Sequence, residues 1–181
     1  MEWIILAIVV VLVLVVIGIY NRLVALRQNV NQGVADIDAQ LRQRHDLIPN
    51  LVNIVKGYAT HEKETLENVI EARNRAAQST NSANEAQLKV SLDKLLALGD
   101  AYPDLKASAN FQELQRELAD VEDKLAAARR ALNAAVSRYN TGIQSFPAVL
   151  VASGLGFREA DFNRLDDSEK GTVDQVPDVR F

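Results

Sequence analysis

The stretch WIILAIVVVLVLVVIGI, residues 3–19, decides the architecture of this chain. Fourteen of its seventeen residues are isoleucine, leucine or valine, and none is charged. On insertion scales such a run favours the bilayer over water by about 6 kcal/mol. Its length lies near the lower limit for a helix that spans the hydrocarbon core. We therefore expect a transmembrane anchor over residues 1–22. Its lipid and interface contacts would include Trp3, Ile4, Leu12, Ile19 and Tyr20.

A cleaved signal peptide is the alternative interpretation of this run, and it fits the sequence less well. Met1 and Glu2 supply no basic segment ahead of the run, and no Ala-x-Ala cleavage site follows it. The first basic residues, Arg22 and Arg27, come after the run. Because lysine and arginine are retained on the cytoplasmic side, the sequence predicts a single-pass protein with its N-terminus outside and its bulk in the cytoplasm.

The composition of the remaining chain favours helices. Aromatic residues make up 6% of the chain and only eight glycines occur, whereas the helix formers Ala, Leu, Gln, Glu and Arg are abundant. The absence of cysteine excludes disulfides and thiolate chemistry. A net charge of −4 supplies no basic surface for nucleic acid. We therefore expect one all-α domain and no nucleic-acid partner.

A first row of mostly apolar residues, spaced alternately by three and four, runs from residue 30 to residue 76. Eleven of its fourteen members are apolar, which is typical of a helix packed along one face and not of a strand. The row continues through Pro49, so we favour one kinked helix over two helices that meet near Ile48. The members are Val30, Val34, Ile37, Leu41, Arg44, Ile48, Leu51, Val55, Tyr58, Glu62, Thr65, Val69, Ala72 and Ala76.

A second row of the same kind predicts the return helix. It is preceded by a loop at residues 79–84 and by a short helix at about 85–98, whose leucines face inward and which Gly99 is expected to end. The row begins after Asn110. Its members are Phe111, Leu114, Leu118, Val121, Leu125, Ala128, Leu132, Ala135, Tyr139, Gly142 and Phe146. The two rows predict a long antiparallel helical hairpin, coiled-coil-like, with three to four helices over residues 23–157 and its turn near Gln78.

An apolar stretch too short to span a bilayer follows the second row at residues 146–157. Three interpretations remain open: it packs on the first helix, it contacts another subunit, or it enters the lipid interface. Its candidate contact residues are Phe146, Val149, Val151, Leu155 and Phe157. A polar, acidic tail at residues 158–181 follows, and it carries seven acidic side chains.

Several polar residues cluster within the span of the first row, at residues 42–50 and 61–62. This polar cluster comprises Arg42, Arg44, His45, Asp46, Pro49, Asn50, His61 and Glu62. A charge on a packing face needs a partner, so one interpretation is that these residues pair across the hairpin and fix its register. The other is a partner-binding surface.

Metal binding and catalysis are disfavoured by the spacing of the two histidines. On one continuous helix His45 and His61 would lie about 24 Å apart, too far to share an ion. No second histidine follows His61 at the spacing of a zinc-protease helix. We therefore expect no metal, no cofactor and no enzymatic activity.

Several stretches of the chain resemble the LemA family of bacterial membrane-anchored proteins. They are YNRLV at 20–24, LRQRHDLIPNLV at 41–52, VKGYATHE at 55–62, AR at 72–73, FQEL at 111–114, YN at 139–140, FP at 146–147 and PDVRF at 177–181. One departure is Leu132-Asn133, where the family usually has Tyr-Asn. The resemblance implies an elongated helical cytoplasmic domain on one transmembrane helix of the bacterial inner membrane, and it implies no reaction.

Two functions follow as expectations. The first is a scaffold that self-assembles on the inner membrane and organises the envelope. It would form a cyclic homo-oligomer, because apolar residues off the first row need cover: Leu47, Ile54, Leu66 and Ile70. The second is an adaptor or regulator of a membrane protein such as an HtpX-type protease, with which the family has a recurring genomic association. The expected partners are thus the lipid bilayer, further copies of the chain and, for the second function, another membrane protein.

Overall fold

The computed structural model describes residues 1–79 and 81–161, and these residues form helices joined by short turns. The helices are α1 (Glu2–Tyr58), α2 (Lys63–Gln78), α3 (Ser82–Ala101), α4 (Pro103–Ala107) and α5 (Ala109–Gln144), followed by a 3-10 turn at Ala148–Leu150. No strand occurs in this part of the chain. The predicted all-α fold is confirmed. Most of the predicted acidic tail, including the PDVRF stretch, lies outside the described residues.

Helix α1 continues through Pro49, as predicted, but it ends at Tyr58. The prediction that this helix reaches Ala76 is wrong. A turn at residues 59–62 separates α1 from α2, held by hydrogen bonds from the Ala59 N–H to the Val55 carbonyl (2.8 Å) and from the Glu62 N–H to the Ala59 carbonyl (3.2 Å). The turn takes up one four-residue step of the row, from Tyr58 to Glu62. The three–four spacing of the row therefore continues through the turn, although the helix itself is interrupted there.

Residues 38–126 form one compact unit with its own core. All five helices contribute to this core, with buried Leu51 and Val55 on α1, Val69 on α2 and Leu95 on α3. Helix α3 continues past Gly99, which corrects the expectation that this glycine ends it. A Cβ at Gly99 would lie 3.0 Å from the Phe111 ring. The glycine therefore permits the close approach of α3 to α5.

The packing of this unit removes one argument for assembly. Leu66 is buried, and Leu47 and Ile54 are partly buried against the core. Of the four residues expected to need cover from another subunit, Ile70 alone is exposed, at 44% of its surface. The expectation was wrong because α2 and α3 fold onto α1 and supply that cover. The homo-oligomer remains a prediction, but these four residues no longer support it.

The other compact unit combines Met1–Ile37 with the described part of Ala127–Phe162. Within it α1 and α5 are antiparallel, since Gly33 faces Leu132 whereas Gly142 faces Leu26. A Cβ at Gly142 would lie 2.7 Å from Leu26 Cδ1. The end of α5 therefore lies beside the first residues after the apolar run. The helix that packs against α5 ends at Tyr58, so the predicted turn of the hairpin near Gln78 is wrong.

The described residues leave most of the apolar run uncovered. Helix α1 is long and apolar enough to cross a membrane, and none of its most apolar window is buried. Trp3, Ile4, Leu12 and Tyr20 are exposed, whereas Ile19 is partly buried against the core that contains Leu23. The first turns of α1 are thus a candidate membrane-spanning helix that continues without a loop into packed structure.

Candidate functional site

Arg44 lies at the centre of the polar cluster, buried among three helices. Only 2% of its surface is exposed. Its Nη2 donates to Oε2 of Glu85 on α3, and its Nη1 donates to Oε1 of Glu122 on α5 at 2.6 Å. A buried guanidinium needs such partners, since removing a charge from water costs several kcal/mol unless it is paired. Arg44 therefore links α1, α3 and α5.

Glu85 shares its carboxylate between Arg44 and the next residue on α1. Its Oε1 lies 3.1 Å from His45 Nε2, and both residues are buried. Burial on its own would raise the pKa of the Glu85 carboxyl, but the hydrogen bond with His45 and the charge of Arg44 outweigh it and lower that pKa below its usual value. Both carboxylate oxygens are thus occupied by side chains of α1.

Pro49 and Arg73 determine the backbone hydrogen bonding of α1 in the same region. A proline inside a helix leaves the carbonyl four residues earlier without its usual N–H donor. For Pro49 that carbonyl belongs to His45, and Arg73 Nε of α2 donates to it at 3.2 Å. Pairing of this oxygen explains why α1 continues through the proline. It also ties α2 to the polar cluster.

A cavity of about 410 Å³ opens beside the cluster. It is lined by Asp38, Leu41, Arg42, His45, Asp46, Arg73 and Ala77. Arg42 and Asp46 are exposed, as are Pro49 and Asn50 in the next turn of α1. The cavity thus presents charges of both signs to solvent, which suits polar contacts with another macromolecule.

His61 and Glu62 do not join this cluster through any described contact, and they lie in the turn between α1 and α2. Glu62 accepts a hydrogen bond from the Tyr102 hydroxyl at 3.2 Å, and His61 is exposed. Desolvation and this bond raise the pKa of the Tyr102 phenol. The predicted site residues are therefore divided between a buried ion-pair cluster, an exposed face of α1 and a turn contact.

The candidate contact residues after α5 are also divided. Phe157 is buried, and its ring lies edge-on to that of Tyr20, with ring centres 5.6 Å apart. Phe146, Val149 and Leu155 are exposed, and Val151 is half-buried. One side of this segment thus packs on the first helix, as one of the three interpretations required, while the other side remains uncovered.

Comparison with known proteins gives the family. The LemA family model matches residues 33–181, most of the chain. This chain belongs to the LemA family. It is 25% identical over 165 residues to Protein LemA of Metamycoplasma hominis, an alignment that covers 88% of this chain and 75% of that protein.

The LemA-family chain is also similar to magnetosome proteins. It is 20% identical over 173 residues to Magnetosome protein MamQ of Magnetospirillum gryphiswaldense and 22% identical to Magnetosome protein MamQ 2 of Paramagnetospirillum magneticum. Each alignment covers 79% of this chain but 64% of the relative, so the chain spans less than two thirds of their length. Together with the candidate spanning helix, these likenesses support a membrane-associated helical protein.

Sequence reasoning missed three members of this LemA-family cluster, namely Glu85, Glu122 and Arg73. A signal for Glu85 was present, because it lies three residues before Leu88 on the inward face of α3, where a charge needs a partner. Glu122 lies among several other charged residues of α5, and it pairs with Arg44. Arg73 gave no such signal, since its acceptor is a backbone carbonyl.

The cluster brings Arg44, His45 and two carboxylates together. In residues 1–79 and 81–161, no three His, Asp or Glu side chains group as ligands for an ion. Nη1 and Nη2 of Arg44 pair with Glu122 and Glu85, and the other oxygen of Glu85 lies 3.1 Å from His45 Nε2. What this arrangement does chemically is to hold α1, α3 and α5 in one register.

Proposed function

We propose that this protein is a membrane-anchored helical scaffold at the cytoplasmic face of the bacterial inner membrane. Residues 3–19 span the bilayer, Met1 and Glu2 lie outside, and the remaining chain is cytoplasmic. Copies associate side by side through a closed symmetry about the membrane normal and contribute to envelope organisation. Neither a cofactor nor a reaction is part of this role.

The observation that carries the proposal is the uncovered apolar start of α1. Trp3 is 83% exposed and Leu12 is 58% exposed, with no charge between them. A contiguous apolar surface of this extent is not sustained in water and indicates burial in a bilayer or against other copies. Ile19, at the end of the run, packs against the core that contains Leu23, which supports a run that stays attached to the folded unit.

Self-assembly is supported by the geometry of anchoring. Parallel anchors confine copies to one plane in one orientation, which raises their effective concentration without any new contact. The charged groups of the Arg44 cluster are directed inward at one another, which suits a structural rather than a catalytic part. The LemA family membership and the MamQ likeness are compatible with such a role.

The test is the mass of the full chain in mild detergent, measured by native mass spectrometry or by light scattering with the detergent contribution subtracted. A discrete multiple of the subunit mass, stable on dilution through the micromolar range, is the expected result. The matched control is Lys124→Ala, a change at an exposed α5 side chain that pairs with Asp120, which should leave the mass unchanged. A monomer at every concentration would contradict self-assembly.

The cavity beside Arg42 favours a second candidate, an adaptor or regulator of another membrane protein such as an HtpX-type protease. Its charges are solvent-exposed and unsuited to packing against the bilayer interior. In that case the detergent-solubilised chain is monomeric, and Arg42→Glu weakens its association with the protease without changing its helix content. An unchanged association after Arg42→Glu and Asp46→Lys would remove this candidate.

A further inference from the structure

The segment after α5 carries apolar side chains that no described residue covers. Phe146 is 80% exposed, Leu150 is 72% exposed and Val149 is 49% exposed. Leu155 extends the same exposed set. The sequence contains no charged residue between Arg138 and Arg158. An uncharged stretch with several large exposed apolar side chains is more than a protein surface in water usually carries.

These side chains project from a structured segment rather than from a loose loop. Ala148 and Ala152 are buried, and the Ala152 N–H donates to the Ala148 carbonyl at 2.8 Å. The Phe157 N–H donates to the Ala152 carbonyl at 3.0 Å, with Gly156 at a φ of 81° in the turn between them. A left-handed φ suits glycine, which has no Cβ. The backbone therefore holds one side of the segment inward and the other outward.

A second pair of hydrogen bonds closes the segment onto α5. Asn140 Nδ2 donates to the Ala160 carbonyl at 2.9 Å, and the Ala160 N–H donates to Asn140 Oδ1 at 2.8 Å. The side-chain amide thus pairs with the backbone as a neighbouring strand would. These two hydrogen bonds hold the segment in place, so its outward side chains have a defined position.

The position of the segment is set by the end of the apolar run. Phe157 contacts Tyr20, which ends the run, and Ile19 packs against the same core. Arg27 lies over the Phe157 ring, with its guanidinium carbon 5.3 Å from the ring centre. Tyrosine at the edge of a span lies at headgroup level. The exposed apolar side chains are therefore next to the bilayer surface whenever the run spans it.

We propose that residues 146–155 form a second, non-spanning membrane contact, in which Phe146, Val149, Leu150 and Leu155 enter the headgroup–acyl boundary beside the anchor. The ligand is the lipid interface of the leaflet at the C-terminal end of the run. Arg22 follows the apolar run and Arg158 follows the segment; both are exposed, and arginine near the surface is attracted to anionic headgroups. This inference rests on the proposed function only in requiring that residues 3–19 span the bilayer.

The test uses the absence of cysteine from the chain, which allows a single environment-sensitive nitrobenzoxadiazole probe at a chosen site. The full chain carrying Leu150→Cys is reconstituted in vesicles of phosphatidylcholine and phosphatidylglycerol, with or without lipids spin-labelled high on the acyl chain. We expect those lipids to reduce the emission at position 150 about twofold, as for groups at the acyl boundary. The matched control is Ala131→Cys, an exposed α5 position of the same unit, which should not be quenched.

A third probe separates the two proposals. Leu12→Cys reports on the anchor and should be quenched by lipids labelled deep in the acyl chain. Absence of quenching at Leu12 would contradict the proposed function. Quenching at Leu12 together with a Leu150 signal like that of Ala131 would overturn this inference alone. A probe at position 150 whose emission indicates an apolar environment, but which the spin-labelled lipids do not quench, would also overturn it. Protein and not lipid would then cover the site.

A variant test avoids placing the probe on an apolar contact. The probe is moved to Ser153, which is exposed in the same segment, and Val149→Glu and Leu150→Glu are introduced together. We expect lipid quenching at position 153 to fall to the level of Ala131, with unchanged helix content and unchanged oligomer mass. A fall in oligomer mass would mean that this surface contacts a second copy, and it would overturn the lipid assignment. Val90→Glu, at an exposed valine of α3, is the charge-matched control and should leave quenching unchanged.

Discussion

At the scale of single residues, the decisive feature is a charge placed where the spacing predicts an apolar side chain. Arg44 occupies a packing position on α1, and the fold supplies carboxylates from α3 and α5 to meet it. Such a cluster adds specificity rather than raw stability, because each ion loses its hydration on burial. One of several helix registers is thereby selected, the one that brings Glu85 and Glu122 to the same guanidinium.

Removal of Glu85 should be costly because Arg44 and His45 would remain buried without it. We expect Glu85→Ala to lower the free energy of unfolding by about 3–5 kcal/mol, as for other broken buried pairs. The control is Glu71→Ala, which removes a surface pair with Arg75 and should cost at most about 1 kcal/mol. The measurement is urea unfolding of the full chain in detergent, followed by circular dichroism. Equal losses for the two variants would contradict the assigned role of Glu85.

The lowered pKa of Glu85 predicts the pH dependence of stability. A carboxyl with a lower pKa in the folded than in the unfolded chain stabilises the fold fully above the unfolded value, about 4.3. That contribution is lost as the pH falls through the lower folded value. The urea midpoint of the wild type should therefore exceed that of Glu85→Gln near pH 7, and the gap should narrow as the pH falls below about 4. A gap that widens on acidification would show that the sign is wrong.

At the scale of elements, the approach of α1 to α5 depends on small residues. Gly142 leaves no room for a Cβ beside Leu26, whereas Gly57 near the end of α1 has nothing within 4 Å of that position. Both glycines are helical, so the cost of glycine to helix formation is similar at the two sites. The difference between them is therefore one of packing alone.

This contrast predicts opposite signs for one and the same substitution. Gly142→Ala should destabilise the fold by about 1–3 kcal/mol through overpacking against α1. Gly57→Ala should stabilise it by about 0.4–1 kcal/mol, because alanine restricts the unfolded chain without a clash. Thermal unfolding of the two variants in one detergent checks the pair. Stabilisation by both would show that α5 does not approach α1 at Gly142.

At the scale of the whole molecule, orientation in the membrane follows from the distribution of basic residues. Lysine and arginine are absent before the apolar run and present after it, beginning with Arg22. Long domains cross membranes largely regardless of charge, but short flanks orient single spans. The predicted cytoplasmic location of the helical domain therefore rests on the residues that flank the span and not on the domain itself.

Fusion of reporters after Phe181 tests this orientation. We expect green fluorescent protein to fluoresce there and alkaline phosphatase to be inactive, since the first functions inside the cell and the second outside. The control pair is the same two reporters fused to a periplasmic protein, which should give the opposite result. Active phosphatase on the full chain would reverse the orientation and remove the scaffold from the cytoplasmic face.

The sequence by itself determined the helical class, the exposed apolar start of α1, the inward faces of α1 and α5, and the presence of a charge at Arg44 that needs a partner. These features depend on the spacing of apolar residues and on their free energy of transfer from water, and both can be determined from residues close together in the sequence. Only the tertiary structure decided that the turn comes at residues 59–62, that Glu85 and Glu122 meet Arg44, and that Arg73 pairs with the carbonyl freed by Pro49. A four-residue turn preserves the spacing of the row, so periodicity does not reveal it. Partners that lie about forty or eighty residues apart are brought together by packing, and no local pattern specifies which of several carboxylates a buried arginine will reach.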